Sequence, residues 1–128
     1  MAIFVRWYDE RRAVVHWEVD GPWCMVDFYD CFEQLAVMAR QTSSKITMLV
    51  DLYKSAGTPR VSLLPYLRRA LTEPKLEQVV VVRRASKGTI LFETIVDVLR
   101  YMGRQPLPPI MYVDSLDEAR NTLNASTR

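Results

Sequence analysis

The residues of this chain best suited to chemistry are its cations, and they are clustered. Eight basic residues fall between Lys54 and Lys87 (Lys54, Arg60, Arg68, Arg69, Lys75, Arg83, Arg84 and Lys87), opposed only by Glu73 and Glu77. That stretch carries +6 in a 128-residue chain whose net charge is +2, so the remainder carries −4. Such asymmetry marks a local anion-accepting region and argues against a molecule built to bind nucleic acid. Within it, Lys54-Ser55-Ala-Gly57-Thr-Pro-Arg60 and Arg83-Arg84-Ala-Ser-Lys87-Gly88 combine mobile positive charge with a glycine that lets backbone approach a ligand closely. Lys54, Ser55, Gly57, Arg60, Ser62, Arg83, Arg84, Lys87 and Gly88 are therefore the candidate site, suited to a phosphate, a nucleotide, another anion or an acidic loop of a partner. The plainer reading is that these are solvated loop charges, as most surface cations are.

The remaining reactive types are sparse. His16 is the only histidine, and with Glu18 two residues on it lacks the positioned partners that acid–base catalysis needs. Cys24 and Cys31 are seven apart, about 10 Å along a helix, too far for a disulfide. Two free thiols fit a reducing, cytoplasmic setting. A lone histidine and two cysteines do not make a four-ligand zinc set, so no metal is expected. Neither a Gly-rich phosphate loop, a nucleophile elbow nor a paired-carboxylate motif is present. The expectation is a protein without catalytic residues or a cofactor.

For the two basic segments to act together, the fold must bring them to one place. Ile3–Tyr8 and Ala13–Val19 alternate and are rich in β-formers, reading as a hairpin closed by Asp20-Gly21-Pro22. From Cys24 to Gln41 the spacing changes to three and four (Met25, Phe28, Phe32, Leu35, Ala36, Ala39), which predicts an amphipathic helix with Cys31 near its apolar side. Ile46–Leu52 and Gln78–Val82 are apolar strands. Between them lies a helix capped by Ser62 and stopped by Glu73-Pro74, with Pro65 in its first turn and Leu63, Leu64, Leu67, Ala70 and Leu71 inward. A third helix follows Thr89, with Leu91, Ile95, Val98, Leu99 and Met102 inward and Gly103 as its C-terminal cap. Ile110–Val113 is a last strand. Ser115-Leu-Asp-Glu118 has capping-box spacing and opens a final helix through about Leu123.

The order β-β-α-β-α-β-α-β-α describes one α/β domain over residues 1–123 with a frayed tail at 124–128. Strands alternating with helices call for parallel pairing and right-handed crossovers. In open sheets of that kind, ligands gather beyond the carboxyl ends of the strands, where both basic segments would lie, each at a helix start favourable to anions. With 49% hydrophobic and 25% charged residues the composition is globular. No apolar run reaches the roughly 20 residues of a membrane span, and no signal peptide is recognisable.

The layout resembles the STAS domain, named for sulfate transporters and anti-sigma factor antagonists. The hairpin closed by Gly21-Pro22, the strand Met48-Leu-Val-Asp-Leu52 and the closing Tyr112-Val-Asp-Ser-Leu-Asp-Glu-Ala-Arg120 carry the likeness. The resemblance implies a small, stand-alone bacterial regulatory domain without catalysis, docking on a kinase or anti-sigma factor. In such antagonists an Asp-Ser-Ser-Gly-like segment before the second helix holds a phosphorylated serine. Here the segment reads Ser55-Ala-Gly-Thr-Pro-Arg-Val-Ser62: the motif is missing, while Ser62 occupies its place as candidate phosphoacceptor. A related branch of the family implies an alternative, a carrier of a lipid or nucleotide.

The aromatics are skewed too. All three tryptophans fall in the first 23 residues. Trp7 alternates with Val5, and Trp17 with Val15 and Val19, so one sheet face can hold both rings while His16 takes the other with Val14 and Glu18. Core packing beneath the helices is the first expectation. An aromatic surface on the hairpin that joins two copies as a homodimer is the second.

Overall fold

The computed structural model describes residues 3–9, 13–21, 25–55, 68–69, 71–83, 93–94, 96–98, 100–101 and 107–126. Five strands form one mixed sheet: β1 (Ile3–Trp7), β2 (Val14–Gly21), β3 (Ile46–Ser55), β4 (Leu76–Val82) and β5 (Ile110–Val113). Their spatial order is their chain order. β1 and β2 are antiparallel, with Val5 opposite Trp17; β2 to β5 are all parallel. Two helices are described along their lengths, α1 (Met25–Arg40) and α2 (Leu116–Ser126). Residues 68–69 and 71 are helical, as are 93–94, 96–98 and 100–101.

Because each crossover steps to the next strand in the same direction, crossovers of one hand place all their helices on one face. The packing shows this. Cys31, Phe32, Leu35, Met38 and Ala39 of α1, together with Leu71 and Val96, join Val15, Trp17, Val19, Ile46, Met48, Val50, Leu52, Val79 and Val81 in the main core. The period-two alternation of the strands sends Val14, Leu49, Val80, Val82 and Val113 to the other face, where Ala119 and Leu123 of α2 cover them. Trp17 is 2% exposed and meets the Phe32 ring edge-to-face at 6.0 Å. Trp7 is half-buried against the same core, so both tryptophans do share a face; Trp23 lies outside the described residues.

Several boundaries differ from the sequence reading. β3 continues through Ser55, so Lys54 and Ser55 belong to a strand and not to a loop. Between Glu18 and Asp20 of β2, β3 fits one additional residue, a bulge that hides the continuation from a strict alternation test. A second shift beside Ile46 lets β4 begin at Leu76, with Glu77 interrupting the pattern. In the helical segment near residue 96, Val96 is buried while Val98 is exposed, which rotates the inward face away from the expected one. The final helix runs to Ser126, beyond the expected end near Leu123. Its cap is as the spacing implied: the Glu118 N–H donates to Ser115 Oγ at 3.1 Å. The Glu118 carboxylate in turn accepts the Asp114 N–H at 2.8 Å, one residue earlier than in the usual reciprocal pair.

The end of α1 and the turn that leads into β4 are tied together by two lysines. Lys75 Nζ donates to the Ala39 and Thr42 carbonyls, and Lys45 Nζ donates to the Pro74 carbonyl at 3.0 Å. These bonds satisfy carbonyls that a helix end and its following turn leave open.

Candidate functional site

Parallel pairing sets the geometry of the carboxyl-end rim. Asp51 of β3 is in register with Val82 of β4, and Val82 with Val113 of β5. Lys54 and Ser55, in register with Asp20 and Gly21, extend β3 past that level, and Arg83 leaves β4 at it, its N–H donating to the Val113 carbonyl at 2.9 Å. The chain therefore enters its two basic segments from one edge of the sheet. Gly57, Arg60, Ser62, Arg84, Lys87 and Gly88 lie outside the described residues, as do Thr89, Cys24 and Gly103.

Arg83 is the basic side chain of this rim that can be placed. Its Nε donates to Asp114 at 3.1 Å, its Nη1 stands 3.7 Å from Glu93, and the guanidinium lies over the Tyr112 ring at 5.9 Å. The Asp114 carboxylate, first by its hydrogen bond, keeps Arg83 even more firmly protonated than usual. Tyr112 is held above its ordinary value by burial, and next by the Glu93 carboxylate. A ligand reaching Arg83 must share it with Asp114 and Glu93 or displace them. The sequence reading found Arg83 but missed these acids, because they follow it by ten and thirty-one residues and meet it only through the fold.

A second polar group lies on the face that α2 partly covers. Arg6 and Glu18 form an ion pair at 3.0 Å across β1 and β2. His16 and Asp51 lie on the same face, 7% and 5% exposed. The His16 Nε2 is enclosed and has no hydrogen-bond partner among the described residues. The Tyr8 ring stands edge-on at 6.2 Å, and Arg120 of α2 donates to the Tyr8 hydroxyl at 3.3 Å. Burial first, then the Arg6 cation, lowers the His16 pKa, and the Asp51 and Glu18 carboxylates oppose this without prevailing. The lowered pKa favours a neutral imidazole at this buried position, on the face it shares with two carboxylates. Sequence alternation put His16 and Glu18 on this face; Arg6 and Asp51 join them through the strand register, which the sequence does not state.

Cys31 is buried in the main core, and burial, helped by Asp27 and Asp30, pushes its thiol up to about 12. It is an inert core residue, as its helix position implied. At the opposite end of the sheet from the rim, a cleft of about 460 Å³ opens between Leu71, Pro74, Leu76 and Leu107, with Glu73 and Glu77 in its walls. Among the described residues, no group of three or more histidine, cysteine or acidic side chains could hold a metal, and no helix is long and apolar enough to cross a membrane. Comparison of the chain with protein-family models, with curated proteins and with solved structures found no match.

Proposed function

We propose that this chain is a non-catalytic regulatory domain that docks on a partner protein through the carboxyl-end rim of its sheet, in the manner of the anti-sigma factor antagonists that its layout resembles. The observation that carries this reading is the parallel register of β3 and β4, which starts the segments after Ser55 and Arg83 from one edge. Two cation-rich, glycine-containing segments sharing an edge make a surface for a phosphate, a nucleotide or an acidic loop of a kinase or anti-sigma-like partner. Ser62, within the first of them, is the proposed phosphoacceptor. Phosphate there would be favoured by nearby cations and by a helix start. Docking needs no internal cavity, and Trp17, Phe32, Leu35 and Met48 are buried together in the main core.

One observation favours a second reading, a small-ligand carrier: the cleft beside Leu71 and Leu107 has the volume of a ligand site. Its two carboxylates make it unsuited to phosphates, so an apolar or cationic ligand is the one it would take. Native mass spectrometry of freshly purified protein separates the two readings. The docking reading expects the bare chain mass; a co-purified small molecule would favour the carrier. The anion side of the proposal is tested by calorimetric titration of sulfate or a nucleotide into the wild type and an Arg60→Glu/Lys87→Glu variant. Binding lost in the variant supports the rim, and undiminished binding overturns it.

A further inference from the structure

The first strand is an edge, and its geometry fits a second copy of itself. Among the described residues, β1 pairs only with β2 in the sheet. The Tyr8 N–H donates to the Val14 carbonyl at 2.8 Å, which makes Tyr8–Val14 a hydrogen-bonded pair. By the alternation of an antiparallel ladder, Arg6–His16 and Phe4–Glu18 are then hydrogen-bonded pairs too. The N–H and C=O groups of Ile3, Val5 and Trp7 point the other way, off the sheet, and no described element pairs with them.

We infer that two copies of this chain join antiparallel through β1, with Val5 on the two-fold axis. Ile3 then pairs with the partner subunit's Trp7, giving about six interstrand hydrogen bonds and one continuous sheet. A slip of one residue sets outward groups against inward ones and forms no ladder, and a slip of two loses a pair at the end. On the main-core face the seam brings together Ile3, Val5 and Trp7 from each copy, side chains that are half-buried in the single chain. On the other face, Phe4, 43% exposed, stands opposite the partner subunit's Arg6 at a non-hydrogen-bonded position, where side chains are closest. A guanidinium over a phenyl face is an attractive pairing. In the single chain Arg6 leans inward to Glu18 of β2, an exposed pair weak enough for the guanidinium to turn outward when the partner subunit's Phe4 arrives.

The other edge of the sheet does not offer this. β5 is four residues long and preceded by Pro108-Pro109. Its Tyr112 ring lies under the Arg83 cation. Short length, proline and charge are the means by which edges are closed to pairing. β1 has no lysine, proline or bulge, and its only charge, Arg6, finds a use in the pairing. The inference is independent of the rim, which lies in segments after β3 and β4.

Sedimentation equilibrium over a range of concentrations tests it, with Val5→Pro and Phe4→Lys beside the wild type. Proline at position 5 removes an N–H that faces away from β2, so the domain keeps its internal ladder. Phe4→Lys sets a lysine against the partner subunit's Arg6. The wild type is expected to show a monomer–dimer equilibrium. Both variants are expected to sediment as monomers with unchanged far-ultraviolet circular dichroism. Amide exchange of Val5 and Trp7 in the wild type should slow as concentration rises. Should Val5→Pro fail to fold, Phe4→Lys decides the matter alone. A wild type that stays monomeric at millimolar concentration, or a Phe4→Lys variant that dimerises as well as the wild type, overturns the inference.

Discussion

His16 makes the stability of this protein depend on pH in a direction that its surroundings decide. The imidazole is 7% exposed, has Arg6 and Leu49 as its strand neighbours, and feels Asp51 and Glu18 on the same face. Burial and Arg6 lower its pKa and the carboxylates raise it, with burial the largest influence. The folded-state value therefore lies below the ordinary 6.5, and the unfolded chain binds a proton that the folded chain refuses. Stability from this group is complete above about pH 6.5 and is lost as pH falls from there toward the folded-state value. One proton sets the steepest slope, about 1.4 kcal/mol per pH unit. Urea unfolding followed by tryptophan fluorescence, to which Trp17 buried beside Phe32 contributes, measures this at pH 7.5, 6.5 and 5.5. His16→Gln keeps a polar side chain that never ionises, so subtracting its curve removes the titration of every other group. The difference should fall with acidification at no more than that slope. A flat difference, or one in which the histidine becomes more stabilising at pH 5.5, would show that Asp51 and Glu18 outweigh burial and would refute the reasoning.

Other expectations follow from the packing. Trp17→Ala removes a fully buried ring from between α1 and the sheet and should cost about 3–5 kcal/mol in chemical denaturation, a large share of a domain's usual stability. Lys75→Met leaves the Ala39 and Thr42 carbonyls without their charged donor; a loss of about 1.5–3 kcal/mol is expected, and a loss below about 0.5 kcal/mol would mean that water replaces the lysine freely. Ser115→Ala should cost about 1 kcal/mol by removing the acceptor of the Glu118 N–H, readable as a lower thermal midpoint. With its thiol near 12 against an ordinary 9.0, Cys31 holds about a thousandth of the thiolate of an unfolded chain at pH 8. Mass-spectrometric alkylation should find it protected in native buffer and labelled in urea.

Much of the architecture was legible because the strands obey one periodicity and the helices another. Val14-Val15-His16-Trp17 told which residues share a face, and the structure puts Trp17 in the main core and His16 opposite. The α/β class and the parallel pairing of the later strands followed from helices spaced between strands. What sequence could not show is what register decides. The bulges beside Glu18 and Ile46 shift alternation by one, so Lys54 and Ser55 looked like loop and the fourth strand was read from Gln78 and not from Leu76. The rotation that buries Val96 and exposes Val98 is a choice between two apolar faces of similar quality, settled only by what the helix lies on. Arg83 was singled out as part of a mobile positive charge, and Glu93 and Asp114 meet it through folding alone. Of the candidate site, the residue types and the shared sheet edge could be read; the acids that temper Arg83 could not.

Amide chemical-shift mapping with sulfate or a nucleotide as titrant tests the rim most directly. The proposal expects saturable shifts confined to Lys54, Ser55, Arg83 and the stretches 56–62 and 84–88. Shifts absent from both stretches, or gathered instead around Lys45 and Lys75 at the opposite end of the sheet, would contradict it.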